Sequence, residues 1–192
     1  MAANGDTLAL IFDATYTTLA RSEARGLSMT DVSAQAGISR TTLYHYFNSK
    51  HELLHAICVK VEQRFEDAVV AAVAERPGLD VRVRVVVEAM TDVGRSHPEV
   101  LHVLALEPGF GVDFLKQIFA DFVAVLDNLL APALATTKAV KSLGLTTEQL
   151  CELILGVMMS VYVLPTHDLA DVPRAILALP CLAESTTELH LV

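Results

Sequence analysis

The sequence has 192 residues, of which 53% are hydrophobic, and a formal net charge of −9 at pH 7. This length suits one large domain or a small domain joined to a larger one, and so much apolar surface is typical of a helical protein that buries part of it between subunits. The first 60 residues carry as many basic as acidic side chains. The negative charge therefore belongs to the remainder, and only the N-terminal segment suits a polyanionic partner.

Targeting signals and membrane segments are not expected. A basic region followed by an apolar stretch is missing at the N-terminus, and the longest uncharged run, residues 153–166, is shorter than the ~20 residues that a spanning helix needs. The cysteines (Cys58, Cys151, Cys181) lie far apart without CxxC spacing. We interpret them as reduced, packed thiols of a cytosolic protein, and no cofactor or metal is expected.

An all-α fold is predicted, because apolar residues recur at helical spacing and strand-like alternation is missing. Predicted in chain order are helices at 7–23, 29–36, 40–47, 50–75, 80–96 and 98–106, a loop at 107–111, a helix at 112–137, a turn at 143–146, and helices at 148–163 and from 173 onward.

Capping signals define the short helices of the N-terminal segment. Ser28, with an Asp three residues later, loosely fits a capping box, and Gly37 is suited to end the helix that follows. Ser39 is predicted to cap the third helix, and Ser49 with Glu52 forms a capping box for the fourth. Further along, Pro132 is expected to kink or end the long apolar helix, whereas Thr146 or Thr147 caps the next one.

The helices at 29–36 and 40–47, with a turn between them, form a predicted helix-turn-helix whose second helix enters the major groove. Arg40 and Thr41 in its first turn suit base edges, since Arg matches guanine and Thr meets a thymine methyl group. Phosphate contacts are predicted for the flanking residues Ser28, Ser39, Thr42, Tyr44, His45 and Lys50.

The segment DVSAQAGISRTTLYHYFNSKHELL, residues 31–54, resembles the N-terminal signature of the TetR family of bacterial transcriptional regulators. The shared pattern is an Ala-Gly-[Val/Ile]-Ser turn, then Thr-Leu-Tyr and Phe, then a Ser-Lys start of the next helix. The resemblance implies a homodimer, a ligand-binding C-terminal part and, usually, repression released by a small molecule. It divides the chain into a helix-turn-helix domain at 1–50, joined through a continuous helix to an effector-binding and dimerisation domain at 51–192.

The sequence departs from the family pattern at three places. Residues 21–26 lack the Gly-aromatic pair that often ends the first helix, Ser33 replaces a usual Ala, and no Arg or Lys precedes Thr7. With so few cations, we expect weak non-specific DNA binding and a shallow dependence of affinity on salt.

The dimer interface is predicted on the helix at 148–163 and the last helix. Small residues four apart allow close backbone approach, and apolar neighbours supply contacts, although burial inside one subunit would explain the same pattern. The expected interface residues are Leu153, Gly156, Val157, Ser160, Val161 and Leu164.

An effector pocket is expected among the middle helices. Because polar side chains are sparse there, the ligand is predicted to be apolar or amphipathic. The candidate lining residues, each of which could instead be ordinary core, are Phe65, Met90, His102, Leu106, Phe110, Phe114, Phe122, Met158 and Tyr162. The loop LEPGFGVDF at 106–114 is a candidate gate, or else a plain connector.

Catalysis is the rival class of function, and the sequence disfavours it. HExxH, a nucleophile elbow and a Gly-rich phosphate loop are all missing. His51 and His55 are four apart on a helix, which fits a solvated or DNA-proximal face better than a metal site. A helical interaction protein without DNA binding would have no reason to expose Arg40 and Thr41. A transcriptional regulator, more often a repressor than an activator, is the favoured interpretation.

Overall fold

The computed structural model describes residues 2–21, 26–97, 103, 107–163 and 171–179. Within these ranges the chain forms helices and no strands, so the predicted all-α class is confirmed. The helices are α1 (Ala2–Arg21), α2 (Met29–Gln35), α3 (Arg40–Tyr46), α4 (Lys50–Glu75), α5 (Arg82–Ser96), α6 (Pro108–Leu134), α7 (Lys138–Leu143), α8 (Thr147–Val163) and α9 (Val172–Leu177).

The chain divides into two compact units. Unit 1 comprises Met1–Gln63 and His97–Gln117, and unit 2 comprises Arg64–Ser96 and Ile118–Val192. Both α4 and α6 contribute residues to each unit without a break. The predicted functional boundary at residue 50 stays a prediction, since compactness does not report which residues bind DNA or a ligand.

Unit 2 is organised around one apolar core. Helix α5 buries Val86 and Met90 on the face that also carries Thr91, whose hydroxyl donates to the carbonyl of Val87 at 2.8 Å. The rings of Phe65 and Phe122 meet edge to face at 6.2 Å between centroids. The most deeply buried large side chains of this core are Leu126, Leu130, Leu134, Leu150, Leu155 and Met158.

The start of α6 differs from the prediction. The predicted loop at 107–111 is wrong, because α6 begins at Pro108. Proline suits the first position of a helix, where its fixed φ is favourable and its missing N–H has no intrahelical role. Pro132 lies inside α6, which continues to Leu134 and ends there, three residues before the predicted limit.

Helix α7 was not predicted. It begins after Thr137 and ends at Gly144, whose φ of 72° lies in the left-handed region that glycine adopts without strain. The predicted cap of α8 is confirmed, since Thr146 Oγ1 accepts the Gln149 N–H at 3.1 Å and Gln149 Oε1 accepts the Thr146 N–H at 3.0 Å. The predicted helix at 98–106 lies outside the described residues apart from Val103, and the chain beyond residue 179 does so entirely.

Helix α6 is also the most apolar long element. By length and composition alone it could cross a membrane, a test that the core helix of a soluble protein passes equally. Its inward residues Phe122, Val123, Leu126 and Leu130 belong to the core of unit 2. Core packing therefore accounts for part of its apolar composition.

Candidate nucleic-acid interface

Helices α1, α2 and α3 pack around a small core in unit 1. Ile11 and Leu19 of α1, Val32 of α2 and Leu43 of α3 are each 0% exposed. The ring of Phe47, directly after α3, lies 6.1 Å from the ring of Phe12. These contacts fix α3 against the other two helices, so that its remaining face is left for solvent or a partner.

The turn between α2 and α3 has the geometry that the sequence predicts. Gly37 has a φ of 66°, in the left-handed region, and its N–H donates to the carbonyl of Ala34 at 3.2 Å. The N–H of Ile38 donates to the carbonyl of Ser33 at 3.1 Å. The chain therefore reverses within three residues and brings Ser39 to the start of α3.

Ser39 caps α3 as predicted. Its Oγ accepts the N–H of Thr42 at 3.0 Å and lies 2.8 Å from the Thr42 hydroxyl oxygen. This bond satisfies one of the backbone donors that the first turn of a helix leaves open. Both hydroxyls are consequently held at the N-terminal end of the helix that is predicted to enter the groove.

The outer face of α3 presents the predicted contact residues to solvent. Arg40, Thr41, Tyr44 and His45 are exposed, whereas Leu43 between them is buried. Positions i, i+1, i+4 and i+5 lie on one side of a helix, so these four side chains share a face. Tyr44 is 41% exposed, although it is large and aromatic. This face of α3 offers a partner several hydrogen-bond donors and one permanent positive charge, that of Arg40.

Ser28 behaves differently from the predicted cap. It occupies the N-cap position of α2 with extended backbone, yet its side chain makes no capping hydrogen bond, so the loose capping box is wrong. The N–H of Val32 donates to the Ser28 carbonyl at 3.0 Å, which is the first ordinary backbone bond of the helix. Helix α2 is further joined to α1 by a hydrogen bond of 3.1 Å from Arg21 Nη1 to Gln35 Oε1.

The start of α4 is capped on both sides. Ser49 Oγ accepts the Glu52 N–H at 3.1 Å, as predicted, and Glu52 Oε2 accepts the Asn48 N–H at 2.8 Å. In an ideal capping box the Glu52 carboxylate would accept the N–H of Ser49. Here it accepts the N–H of Asn48 instead, one residue earlier in the chain. The positive end of the α4 dipole thus lies beside the C-terminal end of α3.

Lys50, a predicted phosphate contact, has an anionic partner in the protein. Its Nζ lies 2.6 Å from Glu107 Oε1, and the two side chains are 41% and 22% exposed. Glu107 immediately precedes α6 and is 57 positions from Lys50 in sequence. Glu107 was missed as a member of this site because no local pattern links positions so far apart, although it stands out in the sequence as one of few polar groups in the predicted gate.

Two His–Phe contacts join α4 to α6 within unit 1. The rings of His51 and Phe110 meet edge to face at 5.0 Å, and those of His55 and Phe114 do so at 5.9 Å. Phe110 and Phe114, predicted pocket residues, stack on one another at 6.2 Å. Across the described ranges, no group of three or more His, Cys, Asp or Glu side chains is placed to hold a metal ion.

The other predicted pocket residues are distributed unevenly. Met90, Phe122 and Met158 are buried in the core of unit 2, and Phe65 packs against it. His102 and Leu106 lie outside the described residues, as does the side chain of Tyr162. A groove of about 730 Å³ between α5 and α9 contains none of the predicted residues; it is lined by Arg84, Glu88, Thr91, Asp92, Arg95, Pro173, Arg174, Leu177 and Ala178.

The predicted interface residues of α8 are exposed. Leu153 is 56% and Val157 38% exposed, and a Cβ built on Gly156 would meet no atom within 4 Å. Ser160 is exposed too, with its hydroxyl donating to the Val157 carbonyl at 2.7 Å. The side chain of Val161 and all of Leu164 lie outside the described residues.

The two described cysteines are buried free thiols. Burial, reinforced by the Glu62 carboxylate, raises the pKa of Cys58 to about 12. Burial also raises the pKa of Cys151 to about 12, with the carboxylates of Asp127 and Glu148 acting in the same direction. Since the thiolate is the reactive form, both residues are packed and unreactive at neutral pH. Cys181 lies outside the described residues.

The N-terminal segment is similar to a known family of proteins. Residues 11–57 match the sequence model of the bacterial regulatory proteins of the tetR family. No curated relative matches the sequence.

Solved structures of TetR-like regulators share the fold along most of the chain. The fatty acid degradation regulator FadR from Bacillus halodurans is 19% identical, with a TM-score of 0.74, covering 90% of this chain and 93% of its own. A TetR-like regulator from Rhodococcus sp. RHA1 is 20% identical, with a TM-score of 0.60 and coverages of 88% and 91%. The repressor AlkX from Dietzia sp., implicated in biodegradation of n-alkanes, is 19% identical, with a TM-score of 0.54 and coverages of 88% and 90%.

Proposed function

We propose that this protein is a member of the TetR family and a cytoplasmic, sequence-specific DNA-binding transcriptional regulator, because its N-terminal segment matches the model of that family and its fold is that of solved TetR-like regulators. The observation that carries this proposal is the exposed face of α3, which presents Arg40, Thr41, Tyr44 and His45 while Leu43 on the opposite face is buried. A short helix fixed at its start and left open on one polar side suits entry into a major groove.

Base reading is assigned to the first turn of α3. We expect Arg40 to donate two hydrogen bonds to a guanine and Thr41 to contact a thymine methyl group. Phosphate contacts are assigned to the residues on either side, which position the helix without reading sequence. These residues are Ser28, Ser39, Thr42, Tyr44, His45 and Lys50.

A homodimer is the proposed functional state. Leu153 and Val157 expose apolar surface on α8, and Gly156 between them leaves room for a close helix partner. Pairing of this face around a two-fold axis would bury it, together with Ser160, Val161 and Leu164. Two reading helices would then contact successive major grooves about 34–36 Å apart on a near-palindromic operator.

Repression relieved by an apolar or amphipathic small molecule is the proposed mode of regulation. Its support is the apolar surroundings of Phe65, Met90, Phe122 and Met158 in unit 2. Two structural neighbours are described as a regulator of fatty acid degradation and as a repressor implicated in biodegradation of n-alkanes. A ligand releases DNA only if it binds the non-DNA state more tightly. Activation, or regulation without a ligand, is the alternative on the same fold.

Selection from a random duplex library at moderate salt tests DNA reading. The wild-type protein is expected to enrich a near-palindromic consensus, and the double variant Arg40→Ala/Thr41→Ala to lose it, since one bidentate Arg–guanine contact alone is worth about 1–3 kcal/mol of discrimination. Arg84→Ala is the matched control, because it removes an exposed arginine from α5 of unit 2. Enrichment that survives in the double variant, or fails in the folded wild type, would reject the proposed reading residues.

A further inference from the structure

The Lys50–Glu107 ion pair brings an acid to the edge of the proposed DNA-binding surface. Its atoms lie 2.6 Å apart, which is short for a charge-assisted hydrogen bond between nitrogen and oxygen. Lys50 is the first residue of α4 and lies next to Ser49, the residue that caps that helix. A cation at this place would face phosphate if DNA were bound to α3, yet in the protein alone its charge is already balanced.

Glu107 is held in position by its own backbone. Its N–H donates to the carbonyl of Val103 at 2.9 Å, and its carbonyl accepts the Gly111 N–H at 2.9 Å, as the residue before a helix does. On its other side the carboxylate lies over Gly26, where a Cβ would approach Oε1 to 2.8 Å. The acid therefore lies between the loop that leads into α2 and the start of α4.

One ammonium group cannot neutralise two anions. If Lys50 remains paired with Glu107 when DNA binds, Lys50 displaces no counterion from the nearby phosphate. The phosphate and the Glu107 carboxylate then repel each other. If the carboxylate is removed, Lys50 becomes available as an additional phosphate contact. Each neutralised phosphate steepens the dependence of log affinity on log salt by about 0.9. The pair should thus be visible in that slope.

We propose that Glu107 competes with an operator phosphate for Lys50, and so lowers both the affinity for DNA and its dependence on salt. This inference rests on the proposed function. The side chain of Lys50 is 41% exposed, so the ion pair lies at the surface of unit 1 and not in its core. Glu107 acts on DNA only through Lys50 and is therefore a positioning residue, which sets how many cations the reading surface offers.

The test compares two variants that change the net charge by the same amount. Glu107→Gln removes the competing charge, whereas Asp113→Asn removes an exposed carboxylate whose nearest cation is Lys116, at 3.9 Å. Binding to the selected operator is measured by fluorescence anisotropy between 50 and 200 mM salt. Glu107→Gln is expected to steepen the slope by about 0.9 relative to Asp113→Asn, so that its advantage in affinity grows about 3.5-fold from the highest to the lowest salt.

The same comparison in a Lys50→Met background isolates the mechanism. There Glu107→Gln and Asp113→Asn should give equal slopes, because no ammonium group is released. Glu107→Ala should reproduce the steep slope with Lys50 present, which guards against a folding effect of the amide. If the Gln and Asn variants have equal slopes with Lys50 present, or if Glu107→Gln weakens binding, the inference is overturned while DNA binding stands. If the wild-type protein binds no duplex, both the proposed function and this inference are rejected.

Discussion

Replacing Ser39 by Ala should destabilise helix α3, whereas replacing Ser28 by Ala should not destabilise α2. The Ser39 hydroxyl accepts the Thr42 N–H at 3.0 Å, while Ser28, in the equivalent position on α2, makes no capping bond with its side chain. Losing a serine cap costs about 1 kcal/mol, within a range of about 0.5–2. Since Ser39 is exposed, water replaces part of the lost bond, and about 1 kcal/mol is expected.

Urea unfolding at fixed protein concentration, followed by circular dichroism, measures the global effect. A loss of about 1 kcal/mol in a chain of this length corresponds to a melting temperature about 2–4 °C lower. Hydrogen exchange of the amides at 40–46 reports the local effect, which should be about fivefold faster exchange in Ser39→Ala if the segment exchanges through opening of unit 1. Equal losses in the Ser39 and Ser28 variants would refute the assignment of the cap.

Two further predictions concern unit 2 and the buried thiols. Alkylation of Cys58 and Cys151 at pH 8, followed by mass spectrometry, should be slow in the folded protein and rapid in denaturant. Because the thiol pKa values are higher in the folded than in the unfolded chain, the free energy of unfolding should fall as pH rises from about 9 towards 12. A free energy of unfolding that does not change over this range would contradict the raised pKa values. Leu153→Asp/Val157→Asp should yield monomers by sedimentation, whereas Val70→Asp should not, since it changes an apolar residue of α4 that is 51% exposed, against 56% for Leu153 and 38% for Val157. A dimeric double variant would move the interface elsewhere.

The reading helix could be predicted because its signals are local. Gly37 and Ser39 act on backbone groups within three residues of themselves, so their roles follow from the order of residues alone. Ser28 makes no capping bond with its side chain although its residue type is favourable at an N-cap, because the residue type does not fix which way the hydroxyl turns. The sequence therefore indicates which residues can cap a helix, and the structure is needed to show which of them do.

Errors in the second half have a different origin. Pro108 and Gly109 predict a loop when taken singly, but a proline at the first helical position favours a helix, and the apolar face that follows gives α6 enough burial to tolerate the glycines. The Lys50–Glu107 pair depends on how α6 packs beside α4 in unit 1. No spacing rule connects residues 57 positions apart, so this part of the site needed the structure.

The two His–Phe contacts repeat with the same spacing on both helices, four residues apart and in the same order along the chain. The contacts of His51 with Phe110 and of His55 with Phe114 are therefore about one helical turn apart along both helices. A shift of a few ångströms separates both pairs at once, while a shift of about 6 Å, the rise of four helical residues, brings His55 against Phe110 and leaves His51 and Phe114 without their partners. A movement of α6 along α4 in unit 1 would therefore pass between discrete pairings of these rings and would not be continuous.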